Sequence, residues 1–143
     1  RRDLDEWTPG EHNGTFRGNN MAFVTAELAL RKYWSDDALQ QKTLENGRIL
    51  REKFSPLVYK YPGQVELRGR GMAFGIAFLE DSTAAEKVMQ RCFDNKLLVE
   101  TAGPSDEVVK FLAPLTLSDA ERDRGIEICY EAVDHVLSSQ YES

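Results

Sequence analysis

Ten residues near the start of the chain, Glu11-His12-Asn13-Gly14-Thr15-Phe16-Arg17-Gly18-Asn19-Asn20, place two glycines, a hydroxyl and capping amides just ahead of an apolar-periodic stretch. Such a run presents backbone N–H groups and a side-chain donor to an anion. Thr15 supplies the hydroxyl, and Gly14 lets the backbone approach closely. The plainer alternative is a surface loop with a helix cap at Asn19 or Asn20, and composition alone leaves both open. Taken as an anion site, the run is only half of one.

Two further cations stand where they could do chemistry. Lys110 lies among the apolar residues of Val108-Val109-Lys110-Phe111-Leu112. A lysine so placed either holds an anion or blunts an exposed strand edge. Arg68 shares a strand face with Glu66 by alternation, which leaves a structural ion pair or a carboxylate contact. Gly69-Arg70-Gly71-Met72-Ala73-Phe74-Gly75 superficially suggests a dinucleotide loop. Its third glycine comes one position late, and the run enters a strand instead of opening a helix, so it reads as a hairpin turn. His12 and His135 lie far apart, and neither joins a catalytic Ser/His/Asp or Cys/His arrangement or a metal-ligand spacing. Cys92 and Cys129 sit singly in helix-like patterns, as reduced core thiols do. Tyr33-Trp34 reads as core or interface and not as a cofactor box.

The length of 143 residues suits one domain, or a small domain with an appended arm. A net charge of −6 with scattered basic residues argues against nucleic acid and membrane surfaces as partners. No apolar run nears membrane-spanning length and no signal peptide is visible, so the expected location is cytoplasmic. The opening Arg1-Arg2-Asp3-Leu4-Asp5 lacks an initiator methionine and any helix or strand pattern, and reads as the middle of a longer protein.

The elements that must position these residues follow from periodicity. Residues 1–18 form an irregular arm. Met21, Val24 and Leu28 mark a helix from Asn20 that ends near Ser35-Asp36-Asp37. A second helix carries Leu39, Leu50, Leu57 and Tyr61, with Pro56 expected to bend or break it. Val65–Arg68 alternates like a half-buried strand, and Gly71–Leu79 is apolar like a central one, with Gly69-Arg70-Gly71 joining them. Thr83-Ala84-Ala85-Glu86 resembles a capping box for a helix burying Ala85, Val88, Met89, Cys92 and Phe93. Lys96–Glu100 and Val108–Leu112 are short strands. Ser118-Asp119-Ala120-Glu121 caps a last helix burying Ile126, Cys129, Tyr130, Val133, Val136 and Leu137. The predicted class is α+β: a short mixed or antiparallel sheet with helices on one face, preceded by an irregular arm and a long helix.

Over essentially its whole length the chain resembles the C-terminal part of class III, fold type I, pyridoxal-phosphate aminotransferases. The run from Glu11 to Phe23 resembles the family's His-x-x-Thr-x-x-Gly-Asn-Pro segment, with Asn20 in place of the usual proline and Arg17 where glycine is common. Both departures resemble the diaminobutyrate branch. Arg68-Gly69-Arg70-Gly71-Met72 resembles the family's Arg-Gly-x-Gly hairpin. Val108-Val109-Lys110-Phe111-Leu112-Ala113-Pro114-Leu115 resembles its substrate-side strand and Pro-Leu turn.

The resemblance implies a phosphate-contact arm at residues 1–20 and a small C-terminal domain with its interdomain helix at 21–143. Thr15, helped by Gly14, would donate to the pyridoxal 5′-phosphate of a neighbouring subunit, so a homo-oligomer of at least two chains is expected. Lys110 stands where many relatives carry an arginine that clamps a substrate carboxylate; a lysine offers a point charge without a planar fork. Arg68, the second candidate substrate-binding residue, is expected to brace the hairpin. No catalytic residue is expected in this chain, because the Schiff-base lysine and the ring-binding residues belong to a large domain that precedes it. The parent enzyme would move the amino group of L-glutamate to L-aspartate 4-semialdehyde, opening ectoine biosynthesis, and the piece alone would be inactive. The alternatives are an ornithine- or 4-aminobutyrate-type aminotransferase and a non-catalytic α+β binding module.

Overall fold

The computed structural model describes residues 2–4, 6–11 and 14–139, which form two compact units, Arg1–Asp36 and Asp37–Ser143. His12 and Asn13 of the candidate anion-binding run lie outside the described residues.

In the first unit, a short 3-10 turn at Thr15–Gly18 leads into helix α1, Asn20–Tyr33. Asn19 is the cap: its Oδ1 accepts from the Ala22 N–H at 3.0 Å. Helix α1 ends where the sequence predicts, but none of its residues is buried. Met21, Val24, Leu28 and Trp34 are all exposed, so Tyr33-Trp34 forms an edge-to-face ring pair and not a core.

The second unit is a four-stranded antiparallel sheet covered by three helices. Helix α2 spans Ala38–Lys60, β1 Val65–Arg70, β2 Ala73–Phe78, α3 Thr83–Asp94, β3 Glu100–Ala102, β4 Val108–Phe111 and α4 Asp119–Ser139. The strand order is β1-β2-β4-β3, so β4 enters between β2 and β3 and takes an interior place. Alternation sends Val65, Leu67, Phe74, Ile76, Phe78, Val109 and Phe111 to one face, as the strand register requires. That face meets Phe54 of α2, whose ring lies 6.0 Å from Phe74 and 5.4 Å from Phe111. Val88 and Cys92 of α3 and Cys129 and Val133 of α4 complete the core, all fully buried. The cysteines are free thiols, and the hydrogen bond with Cys92, and then burial, push the Cys129 thiol up.

Several local expectations are corrected. Helix α2 runs through Pro56 and continues to Lys60, because Leu57 and Tyr61 remain buried on its core side. The hairpin turn is Gly71-Met72, with Gly69 and Arg70 inside β1. Gly71 adopts φ +56°, a conformation that glycine takes without steric cost. A Cβ on Gly47 would come within 2.5 Å of the Gly71 Cα, so helix and hairpin meet backbone to backbone there. At α3, Asp81 does the capping: its Oδ1 accepts from the Thr83 N–H at 2.9 Å and the Thr83 hydroxyl at 2.6 Å. Phe93 is exposed, off the arc of Ala84, Ala85, Val88 and Cys92.

The predicted strand from Lys96 begins only at Glu100. The Lys96 N–H donates to Phe93 O and the Leu97 N–H to Cys92 O, at 2.9 and 2.8 Å, with Lys96 at φ +69°. This helix-closing motif consumes the residues that periodicity assigned to a strand. The cap of α4 is as expected: Ser118 N–H and hydroxyl donate to Glu121 Oε2, and the Glu121 N–H returns to the Ser118 hydroxyl at 3.2 Å.

Candidate functional site

The face of the sheet turned away from α2, α3 and α4 carries a row of four residues brought together by strand register. Arg68 of β1 pairs with Gly75 of β2, Gly75 with Lys110 of β4, and Lys110 with Glu100 of β3. Adjacent strands lie about 4.8 Å apart, so the Arg68 and Lys110 backbones are roughly 10 Å apart across the glycine. Gly75 is buried, and a Cβ there would come within 2.7 Å of Val108 Cγ1. A larger residue has no room between the two cations.

Each cation has a carboxylate beside it. Arg68 pairs with Glu66 on its own strand at 2.9 Å, so the structural ion pair anticipated from alternation is formed. Lys110 pairs with Glu100 across the β4–β3 ladder at 2.8 Å. The Lys110 hydrogen bond, and then its charge, hold the Glu100 carboxyl below the usual range. Glu107, at the start of the β4 approach, is also held low, first by its own and the Ser105 backbone N–H groups, with the Arg68 charge adding to them. The edge-strand explanation of Lys110 does not hold, because β3 pairs outside β4 and makes it interior. The hairpin is braced from the helix side by Arg51, whose guanidinium donates to Leu67 O at 3.3 Å and Gly69 O at 3.1 Å.

Lys110 and Glu100 also line a cavity of about 640 Å³ at the β3 end of the sheet. Its walls are largely apolar, with Met72, Leu98, Phe111 and Leu112 among them, and Arg122 contributes a further cation. A concave apolar site with a few convergent charges is the usual form of a small-molecule pocket. Arg122 is itself engaged: it pairs with Asp119 and Asp123 and donates to the buried Asn46 Oδ1 at 2.9 Å.

Gly14 and Thr15 belong to the first unit. Gly14 has extended backbone and precedes the 3-10 turn, and a Cβ on it would meet Arg17 Cγ at 3.0 Å. The turn closes with Arg17 N–H donating to Gly14 O at 3.1 Å. Thr15 is exposed. A hydroxyl on an exposed residue, next to a residue without a Cβ, is a donor that a phosphate can accept from.

Glu100, Gly75 and Arg51 escape sequence reasoning. Their roles depend on which strand lies next to which, and no local pattern carries that information. Among the described residues no group of His, Cys, Asp and Glu could hold a metal ion, and no helix is long and apolar enough to cross a membrane.

A family model described as aminotransferase class-III matches residues 3–133. Diaminobutyrate–2-oxoglutarate transaminase of Nocardia farcinica is 52% identical over 95% of this chain and 31% of its own length. The enzyme of the same name from Vibrio parahaemolyticus is 43% identical over 98% of this chain and 33% of its own. Among solved structures, lysine aminotransferase from M. tuberculosis superposes with a TM-score of 0.73 at 26% identity, over 90% of this chain and 29% of that one. The chain therefore spans about a third of the length of the curated relatives it matches.

Proposed function

Because the chain belongs to the class-III aminotransferase family, we propose that it is the C-terminal part of an enzyme that moves the amino group of L-glutamate to L-aspartate 4-semialdehyde. The products are L-2,4-diaminobutyrate and 2-oxoglutarate. The observation that carries this reading is the likeness, over nearly the whole chain, to two diaminobutyrate–2-oxoglutarate transaminases at 52% and 43% identity. Bound pyridoxal phosphate supplies the electron sink for amino-group exchange. The share of this chain is binding and orientation.

Residues 1–20 act as the arm, in which Thr15 donates its hydroxyl to the cofactor phosphate of a neighbouring subunit and Gly14 opens space for it. Residues 21–143 supply the substrate side. Lys110 holds a substrate carboxylate as a point charge, and Arg68 keeps the hairpin in place through its pairing with Glu66. The enzyme works in the cytoplasm as an oligomer of at least two chains, and residues 1–143 by themselves transfer no amino group.

Donor and acceptor profiling of the complete enzyme tests this. Turnover with glutamate and aspartate 4-semialdehyde is expected to exceed turnover with ornithine or 4-aminobutyrate as donors. A preference for either of those moves the enzyme to another branch, and no turnover with any of them leaves a binding module. Lys110→Met should raise KM for glutamate and 2-oxoglutarate roughly tenfold or more, the scale of losing a hydrogen bond to a charged group.

A further inference from the structure

The two cysteines of the chain stand on different helices and meet in the core. Helices α3 and α4 run antiparallel. Thr83 and Glu86 share a groove with Val136 and Ser139, and past the other end of α3 a Cβ on Gly125 would lie 3.6 Å from Leu97 Cδ1. Between these two points Cys92 meets Cys129, and the two thiols are hydrogen-bonded to each other. Both are fully buried, and amino-group transfer uses neither. Two sulfurs already in contact need only a small approach of their helices to be bridged. Cys92 is the more reactive member. It lies in the last turn of α3 beside the exposed Phe93, so local opening of that helix end uncovers it before Cys129 in the middle of α4. The hydrogen bond from Cys129, opposed by burial and aided by the Arg91 charge, holds the Cys92 thiol below its ordinary range.

The pair also lies behind the cavity that Lys110 lines. Cys92 O accepts the Leu97 N–H at 2.8 Å, in the turn that leads to β3. Leu97, Leu98 and Glu100 line that cavity, and α4 contributes Arg122, Gly125 and Ile126 to it. A bond between Cys92 and Cys129 would therefore set the spacing of two elements that shape it. We propose that these cysteines form a reversible redox switch, in which a peroxide joins them in a disulfide that clamps α3 to α4 and alters the cavity wall.

The chemistry needs only the two thiols and the peroxide. The Cys92 thiolate attacks one peroxide oxygen, the O–O bond breaks, hydroxide leaves, and Cys92 becomes a sulfenic acid. The Cys129 sulfur then attacks the Cys92 sulfur. The S–S bond forms, the S–O bond breaks, and the oxygen departs as water with the Cys129 proton. The hydroxide takes up the proton that Cys92 released. Both sulfurs are oxidised and the peroxide is reduced to two waters. A dithiol reverses the step by thiol–disulfide exchange.

Hydrogen peroxide treatment of the complete enzyme, followed by alkylation of the remaining thiols, digestion and mass spectrometry, tests the proposal. A peptide pair joined through Cys92 and Cys129 should form, lighter by two hydrogens than its reduced halves. Dithiothreitol should separate it. The oxidised enzyme should unfold at a higher denaturant concentration. Its KM for glutamate should shift about twofold or more and return on reduction. In Cys92→Ala, or in Cys129→Val where that variant does not fold, peroxide should leave KM where it was. The mass and unfolding readouts hold whichever amino donor the enzyme prefers, so they stand apart from the proposed transfer reaction. Failure to recover the joined pair overturns the switch, as does oxidation of Cys92 to a sulfinic acid without it. A joined pair that leaves KM unmoved, or a KM shift that persists in the cysteine variant, overturns it too.

Discussion

The two faces of the β1–β4 sheet are made from alternate residues of the same strands, and they are built on opposite principles. The helix-covered face stacks Phe74 and Phe111 against Phe54 and closes over Ile76 and Val109, both fully buried. The open face carries the row Arg68, Gly75, Lys110, Glu100, in which every charged member has an ionic partner within 3 Å. One face gains stability from removing apolar area from water. The other keeps its charges paired and partly exposed to water. A sheet covered on one side only allows this division, because a one-residue step along a strand crosses from one regime to the other.

The largest expected effect comes from breaking the covered face. Phe54 is fully buried among three rings, and Phe54→Ala should cost about 3–5 kcal/mol of stability in denaturant unfolding. The KM change predicted for Lys110→Met should be absent from this variant wherever it remains folded. If Phe54→Ala raises KM as Lys110→Met does, the two faces are not separable.

Gly75 is where the faces constrain each other. It lies in the central strand, yet its missing Cβ is what leaves room for Val108 beside Lys110. Gly75→Ala should therefore cost about 1–3 kcal/mol, because Val108 is branched and stiff and has to shift. Removing the obstacle with Val108→Ala should reduce the added cost of Gly75→Ala, a coupling that a double-mutant cycle measures. Additive losses would show that Gly75 is selected by something other than the contact with Val108.

The contrast also explains what sequence could reveal. The helix patterns, the α+β class and the cap at Ser118 are local, and periodicity finds them: Leu50, Leu57, Val88 and Val133 are buried as spacing predicts. Lys110 and Arg68 stand out as charges among apolar or alternating residues. The partner of Lys110 does not, because Glu100 meets it only once β4 has inserted between β2 and β3. The start of β3 is misplaced for a different reason. The Lys96 turn that closes α3 needs a positive φ, which residues other than glycine rarely adopt and which spacing does not signal at a lysine. At Thr15 composition by itself favours a surface loop over an anion site, and the phosphate role rests on resemblance alone.

The smallest effect sharpens the comparison from behind the covered face, where helices α2 and α4 are joined by charge. Lys60 donates to Asp134 Oδ1 at 2.5 Å, and the Tyr61 hydroxyl donates to the same oxygen at 2.8 Å. The Lys60 hydrogen bond, opposed by burial and aided by Tyr61, holds the Asp134 carboxyl below its ordinary value of 3.8. A depressed folded-state carboxyl stabilises the fold above its unfolded value, and this stabilisation is lost as pH falls through the folded value. Asp134→Asn keeps an oxygen that can accept from Tyr61 and removes only the charge. It should cost about 0.5–1 kcal/mol at neutral pH, because the pair is partly exposed. The gap between parent and variant should stay constant down to about pH 4 and close below it. A gap that persists into strong acid would mean that the asparagine disturbs packing and not charge. KM for glutamate should not move at any pH where the protein is folded, because this ion pair joins α2 to α4 and does not involve Lys110.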